Sequence, residues 1–140
     1  MNGKSHNLFS LLFVVGLSMS ALTVDAQDVM RKQADGTYVV NTTTLCKNVH
    51  GFKKNGTTPV EVYISKGKVI KVVALPNQES PGYFAKVKKA LLPLFTGIKV
   101  SKAKKVSEQT QVDGCTGATY STRAVQKNIK AALAYYEKNK

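Results

Sequence analysis

The chain has 140 residues, of which 43% are hydrophobic and 21% charged, and its formal net charge is +13. This length suits one domain around one core, and the hydrophobic content is that of a folded protein rather than a disordered one. The two cysteines are far apart in the sequence and only one histidine, His50, follows the N-terminal segment, which excludes a CxxC redox motif and a multi-histidine metal site. We predict no metal site and no catalytic residue.

Residues 1–26 have the layout of a secretory signal peptide. A short basic start precedes the apolar run LFSLLFVVGLSMSALTV (8–24), and Val24 and Ala26 are small residues at the −3 and −1 positions of a cleavage site before Gln27. The alternative is an uncleaved membrane anchor, because the run is near the shortest length that spans a bilayer. Either interpretation predicts an exported protein, periplasmic or on the outer face of the cytoplasmic membrane.

The next segments predict a sheet. Residues 27–34 are a polar lead-in, and the domain is expected over 35–140. The stretch GTYVVNTTT (36–44) is rich in β-branched residues and predicts a strand. In PVEVYISKGKVIKVVAL (59–75), apolar and polar residues alternate over 60–65, Lys66-Gly67 marks a turn, and 69–75 returns as a second strand, so that the stretch predicts a β-hairpin.

Two helices are predicted after the hairpin. The first covers 83–92, with Phe84, Val87 and Leu91 on one face, and is ended or kinked by Pro93. Residues 97–112 are polar and lysine-rich, and we expect a loop there with at most a short strand around 98–100. From Tyr120 onward, apolar residues at steps of three and four predict an amphipathic C-terminal helix. Strands followed by helices favour a single α+β domain, in which an antiparallel sheet with a β-hairpin is packed by a middle helix and a C-terminal helix.

Lysine dominates the middle of the chain. Residues 64–105 contain ten lysines and one acidic residue, Glu79. Export and the lack of interleaved aromatic residues argue against nucleic acid as a partner. A solvated basic face is the plain interpretation, and a site for a polyanion or an anionic cofactor is the alternative.

The stretch DGCTGATYST (113–122) directly precedes the predicted C-terminal helix. Backbone N–H groups at a helix start lack internal partners and the helix dipole is positive there, so such a turn can hold a phosphate. Gly117 allows close backbone approach, and hydroxyls come from Thr116, Thr119, Ser121 and Thr122. A structural interpretation is a glycine turn whose helix is capped by Thr119, Ser121 or Thr122. No complete P-loop is present, and local physics leaves both interpretations open.

The string Asp113-x-x-Thr116-Gly117-Ala118-Thr119 resembles the D-x-x-[ST]-G-A-T flavinylation motif of the FMN-binding domain family. That family includes the extracytoplasmic flavin subunits of the sodium-pumping NADH:quinone reductase and of Rnf complexes. Three other segments match in the same order: DGTY (35–38) is similar to the family's opening strand, the hairpin to its central hairpin, and ESPG (79–82) to its ETPG segment. Together with the terminal helix, the resemblance covers nearly all of 35–136.

The resemblance implies a role for each matching residue. Thr119 matches the threonine whose hydroxyl takes FMN through a phosphoester bond, which a dedicated flavin transferase installs from FAD with magnesium. Asp113 matches the acidic position that the transferase motif requires, and the phosphate-holding turn is matched by Thr116, Gly117 and Ala118. Tyr120 and Ser121 look like the usual continuation. The segment near the flavin ring is matched by Glu79, Ser80 and Gly82, with Ser80 in place of the commoner threonine.

The function implied is that of an exported electron-transfer module, relaying electrons between a membrane donor and an extracytoplasmic acceptor without being an enzyme on its own. The alternative is a non-catalytic basic cell-envelope binding domain with the same fold and no bound flavin, and a third hypothesis is a flavin-dependent reductase. We further hypothesise that the lysine-rich middle stabilises the reduced, anionic flavin. Cys46 and Cys115 are either disulfide-linked or free thiols, and the sequence leaves both open.

Overall fold

A computed structural model describes residues 29–140, so the predicted signal peptide and the cleavage site before Gln27 lie outside the described residues. Four antiparallel strands form one sheet in the order in which they occur along the chain: β1 (Met30–Lys32), β2 (Tyr38–Asn41), β3 (Val60–Ser65) and β4 (Lys68–Ala74). Three α-helices follow: α1 (Pro81–Lys86), α2 (Val100–Val106) and α3 (Thr119–Asn139). The predicted α+β domain with an antiparallel sheet is confirmed.

The core lies between one face of the sheet and the helices. In β3 the side chains of Val60, Val62 and Ile64 are fully buried, while the residues between them are half-buried. The apolar face of α3 covers this surface, and the ring of Tyr136 meets the edge of the Tyr38 ring with 5.4 Å between centroids. The apolar residues that alternate with polar ones over 60–65 are therefore the residues that face the core, and the polar ones point to the outer face of the sheet.

Two elements correct the sequence-based expectations. The polar lead-in contains β1, a three-residue edge strand in which only Met30 is even half-buried, so no apolar alternation marks it. The expected loop over 97–112 contains α2. Its buried residues are Val100, Ala103 and Val106, which lie three apart on one face, and the lysines around them conceal this period in the sequence. A bridge between Lys68 and Lys99 is what remains of the short strand expected at 98–100.

The middle helix begins two residues earlier than predicted and changes form along its length. Pro81 stands in its first turn, where the missing N–H and the fixed φ of proline suit a helix start. After Lys86 the chain continues as a π-helical turn (Val87–Leu91) and a 3-10 turn (Leu92–Phe95). Because Pro93 has no N–H to donate to the preceding turn, the regular α-helical pattern cannot run through it.

Both cysteines are buried free thiols, so no disulfide joins Cys46 to Cys115 in this structure. Burial raises the pKa of the Cys46 thiol. The Sγ of Cys115 lies 3.9 Å from the carbonyl oxygen of Lys86, where it packs under the middle helix. Among residues 29–140, no helix is long and apolar enough to cross a membrane.

A buried polar cluster ties the middle of α3 to the sheet. Asn128 is fully buried; its Oδ1 accepts a hydrogen bond from the Thr42 hydroxyl, and its Nδ2 donates to the carbonyl oxygen of Ala124 at 2.8 Å and to the Thr58 hydroxyl at 3.4 Å. The Thr42 oxygen in turn accepts from the N–H of Val60 at 2.9 Å. Since unpaired polar groups are costly in a core, this cluster fixes how α3 sits on the sheet.

We therefore expect Asn128→Ala to lower the free energy of unfolding by about 2–4 kcal/mol, because it leaves the Thr42 and Thr58 hydroxyls without their buried partner. Urea unfolding followed by circular dichroism measures the change. The neighbouring exposed Lys127→Ala is the matched control and should change stability by less than about 0.5 kcal/mol. Equal effects of the two substitutions would contradict the assigned role of Asn128.

Candidate functional site

The turn before α3 places Thr119, the first residue of that helix, at the surface. Gly114 and Gly117 both have positive φ, 88° and 84°, which side chains disfavour. A Cβ at Gly114 would lie 2.8 Å from the Cβ of Ala90, so the turn also packs closely on the middle helix. The N–H of Ala118 donates to the carbonyl oxygen of Cys115 at 2.9 Å, and the next residue, Thr119, opens α3 with its side chain exposed.

The capping interpretation of this turn is wrong. The residue at the N-cap position is Ala118, and no side chain caps the first turn of α3. The Thr122 hydroxyl donates instead to the carbonyl oxygen of Ala118 at 2.7 Å, and the Ser121 hydroxyl donates to the Glu79 carboxylate. Both hydroxyls belong to buried residues and already donate hydrogen bonds. The Thr119 hydroxyl takes part in none of the side-chain hydrogen bonds found among residues 29–140, which leaves it available at the helix start.

Glu79 is the buried anchor of the site, with 6% of its surface exposed. One carboxylate oxygen accepts hydrogen bonds from the Ser121 hydroxyl and from the N–H of Phe52 at 2.9 Å, and the other accepts from the N–H of Lys53 at 3.2 Å. Burial raises the pKa of this carboxyl, but these hydrogen bonds and the Lys53 charge outweigh burial and hold the pKa below its ordinary value of 4.5. The ionised carboxylate thus joins the turn around 51–56 to the start of α3.

An aromatic cleft lies beside Thr119. Three exposed rings surround it, those of Phe52, Tyr83 and Tyr120, with 64%, 53% and 68% of their surfaces accessible. The centroids of the Phe52 and Tyr120 rings are 6.3 Å apart. The cleft has a volume of about 260 Å³, and the remaining residues that line it are Ser80, Gly117, Ala118, Thr119 and Ser121. Exposed large rings that share one concave surface are typical of a binding site for a flat, apolar ligand.

A second, polar cleft of about 480 Å³ also borders Thr119. It is lined by residues 110–117 together with Thr119, Thr122 and Arg123, and the exposed Asp113 belongs to it. Gly117 and Thr119 line both clefts. Thr119 therefore borders an aromatic surface and a polar surface at once.

One cation lies directly at the turn. The Nζ of Lys86 donates to the carbonyl oxygen of Thr116 at 3.0 Å and lies 5.4 Å from the centroid of the Tyr83 ring. A Cβ at Gly117 would be 3.9 Å from this Nζ. A positive charge therefore stands next to the start of α3, where the helix dipole is also positive.

The structure brings most of the residues singled out in the sequence together. The aromatic cleft contains Ser80, Gly117, Ala118, Thr119, Tyr120 and Ser121, whereas Asp113 and Thr116 line the polar cleft with Gly117 and Thr119. Glu79 is hydrogen-bonded to Ser121 of the aromatic cleft, and neither Glu79 nor Gly82 lines either cleft. His50 is exposed, pairs through its backbone with Thr57 and lines neither cleft.

Sequence reasoning missed three contributors to the site: Phe52, Tyr83 and Lys86. Phe52 lies between the predicted strand and the predicted hairpin, where no motif marks it, and Lys86 is one of the ten lysines of 64–105 for which a solvated basic face is the plain interpretation. The available signal was weak: Tyr83 follows ESPG directly, and Phe52 follows a glycine.

The Glu79 hydrogen bonds predict a dependence of stability on pH. Because the folded-state pKa lies below 4.5, the bonds stabilise the fold above the unfolded-state pKa, and this contribution is lost as the pH falls through the folded-state pKa. We expect Glu79→Gln to lower the free energy of unfolding by about 1–3 kcal/mol at pH 7, with a difference from wild type that shrinks below about pH 4.5. Urea unfolding at several pH values measures both the loss at pH 7 and its decrease at low pH.

The control is the exposed Glu137→Gln, which should change stability by less than about 1 kcal/mol. A loss of stability in Glu79→Gln that stayed constant down to pH 3 would contradict the role assigned to the Glu79 carboxylate.

Because Gly51 has no side chain, the Glu79 carboxylate can occupy the space next to it. A Cβ at Gly51 would lie 2.7 Å from the carboxyl carbon of Glu79, so Gly51→Ala must displace either the turn or the carboxylate. We expect a loss of about 1–3 kcal/mol in the wild type and a smaller loss in the Glu79→Ala background, where the space is empty. Gly82→Ala is the control, since a Cβ there meets nothing within 4 Å and it should alter stability by no more than about 1 kcal/mol. Additive effects of Gly51→Ala and Glu79→Ala would refute the contact.

Comparison with known proteins identifies the family. A family model described as the FMN-binding domain matches residues 54–134, which is more than half of the chain. No curated protein and no solved structure matches the chain significantly. The matched range contains the hairpin, the Glu79 segment, the Thr119 turn and most of α3. The chain therefore belongs to the FMN-binding domain family, and this membership supports FMN as its cofactor.

Proposed function

We propose that this protein is an electron-transfer module that carries FMN covalently, through a phosphoester on the hydroxyl of Thr119. The observation that carries the proposal is the position of this one residue. Thr119 is exposed, it opens a helix of 21 residues, and it lines both the aromatic and the polar cleft. The neighbouring hydroxyls of Ser121 and Thr122 are buried and already engaged in hydrogen bonds.

The residues around Thr119 fit the phosphate of FMN. A phosphate on the Thr119 oxygen would stand at the positive end of the α3 dipole, where backbone N–H groups lack helical partners. The Lys86 ammonium, held at the Thr116 carbonyl, adds a positive charge on the same side. Gly117, which has no side chain, lets the backbone approach the phosphate closely.

The aromatic cleft fits the flavin ring. The rings of Phe52, Tyr83 and Tyr120 offer apolar faces against which a planar, fused ring can stack. The Glu79 carboxylate fixes Phe52 through the backbone N–H of that residue, so one wall of the cleft is fastened to the start of α3. Glu79 is therefore a positioning residue.

Bound FMN supplies the redox chemistry, and the chain binds, orients and partly shields it. Of the residues that the structure describes, none with a carboxylate lines the aromatic cleft proposed for the flavin ring: Glu79 is committed to three hydrogen bonds behind Ser121, and Asp113 lines the polar cleft instead. This supports a carrier rather than a reductase with its own substrate chemistry.

The remaining parts of the proposal concern export and partners. We infer export to the periplasm or the outer face of the cytoplasmic membrane from the N-terminal apolar run. The partners proposed are a flavin transferase, a membrane redox donor and an extracytoplasmic acceptor. For the transferase, the Thr119 hydroxyl would be the nucleophile that displaces AMP from FAD, with the transferase providing magnesium. A covalent bond suits an exported carrier, because dissociated FMN would be lost by dilution.

Co-expression with a flavin transferase tests the linkage. After denaturing electrophoresis, we expect flavin fluorescence to remain with the wild-type band and to fall at least about tenfold in Thr119→Val, which keeps the shape of the side chain but removes the nucleophile. Phosphopeptide mass spectrometry should place FMN on Thr119.

Thr110→Val is the matched control, since Thr110 is an exposed threonine that lines the same polar cleft but lies outside the 113–119 motif, and it should retain covalent flavin. A wild-type band without flavin would contradict the carrier function and leave the alternative of a basic envelope-binding domain. Fluorescence lost equally in both variants would contradict attachment through the Thr119 oxygen, because the loss would then follow any change of threonine in this cleft.

A further inference from the structure

Four lysines converge at the end of the molecule opposite Thr119. Lys66 lies in the turn between β3 and β4, Lys68 is the first residue of β4, Lys99 precedes α2, and Lys140 follows α3. Together they line a pocket of about 320 Å³, and we call this group the lysine pole; the other residues of the pocket are Gly67, Val100, Ser101, Tyr136 and Glu137.

The backbone holds the lysine pole in place. Lys68 and Lys99 form a β-bridge, and the N–H of Val100 donates to the carbonyl oxygen of Gly67 at 3.0 Å. The N–H of Val69 donates to the carbonyl oxygen of Ile98 at 2.8 Å. The turn and the start of α2 are therefore fastened to each other, and their lysines are presented from a fixed frame.

The positive charge of the pole is not neutralised within the described part of the chain. The acidic side chain of the pocket, Glu137, is paired with Lys104 at 2.8 Å. The other ion pairs among residues 29–140 are Arg31–Glu61 and Lys130–Glu108, so Lys66, Lys68 and Lys99 have no carboxylate partner there.

The pole lies too far from Thr119 to act on a flavin there. Tyr136, which lines its pocket, follows Thr119 by about five turns of α3, a rise of about 25 Å. Fields of exposed charges are screened over about 8–10 Å at physiological ionic strength. The hypothesis that the lysine-rich middle as a whole stabilises reduced flavin therefore does not fit this arrangement, and Lys86 is the member of that stretch placed at the site.

We propose that the lysine pole is a docking surface for an acidic protein, which holds the domain by this end and leaves the aromatic cleft free. Charge complementarity supports the partner's chemistry, since clustered unpaired lysines attract and orient a carboxylate-bearing surface. A lipid surface fits less well. The pole is concave, and none of the exposed large apolar side chains lines it, whereas membrane-surface binding usually combines basic and apolar residues.

The test uses poly-L-glutamate as the acidic probe and the full chain, with binding followed by surface plasmon resonance at about 0.15 M salt. We expect Lys66→Gln/Lys68→Gln/Lys99→Gln to weaken binding about tenfold. The charge-matched control Lys47→Gln/Lys89→Gln/Lys127→Gln, which changes exposed lysines outside the pole, should weaken binding less than about threefold.

Equal weakening in both triple variants would overturn the proposal, because binding would then follow net charge alone. It would also be overturned if the chain bound vesicles of equal parts phosphatidylcholine and phosphatidylglycerol through these lysines but failed to bind poly-L-glutamate. Covalent flavin is measured on the same samples, and the pole variant should retain it. Loss of flavin from the wild type would count against the proposed function without affecting this result.

Discussion

The candidate site depends on the hydrogen bonds that the buried Glu79 carboxylate accepts. This carboxylate accepts hydrogen bonds from the turn that carries Phe52 and from the Ser121 hydroxyl in the first turn of α3. Taking a charge out of water is costly unless hydrogen bonds replace its hydration, and here three donors do so. Gly51 leaves the space this requires. The aromatic wall and the helix start are thus set relative to each other by one ionised group.

Helix α3 gives the molecule an axis with two different ends. Its N-terminal end carries the exposed Thr119 between two clefts, its middle is fixed to the sheet through Asn128, and its C-terminal end borders the lysine pole. A rigid rod of this length separates the two surfaces, so changes at one end need not disturb the other. We therefore expect the two proposed roles, cofactor attachment at one end and partner docking at the other, to be separable by mutation.

Sequence reasoning succeeded where burial imposes a clear period and failed where it does not. The strands β3 and β4 were predicted because one face of each is buried, while β1 is too short and exposed to show alternation. In α2 the buried residues Val100, Ala103 and Val106 are separated by lysines, so the composition suggested a loop. The motif singled out Thr119 and Asp113, which line the polar cleft together, whereas Phe52 and Tyr83 reach the aromatic cleft from distant segments that carry no motif of their own.

The Glu79–Ser121 hydrogen bond has a consequence for when the site comes into existence. Its two partners are separated by most of the middle of the chain, and Phe52 lies further upstream still. A nascent chain that had emerged only as far as α1 would contain the carboxylate and the ring but not the helix that unites them. A short peptide with the sequence DGCTGATYST would contain the hydroxyl alone. The site therefore exists only after tertiary folding is complete. An enzyme that recognised the assembled site in order to modify Thr119 would act only on correctly folded molecules.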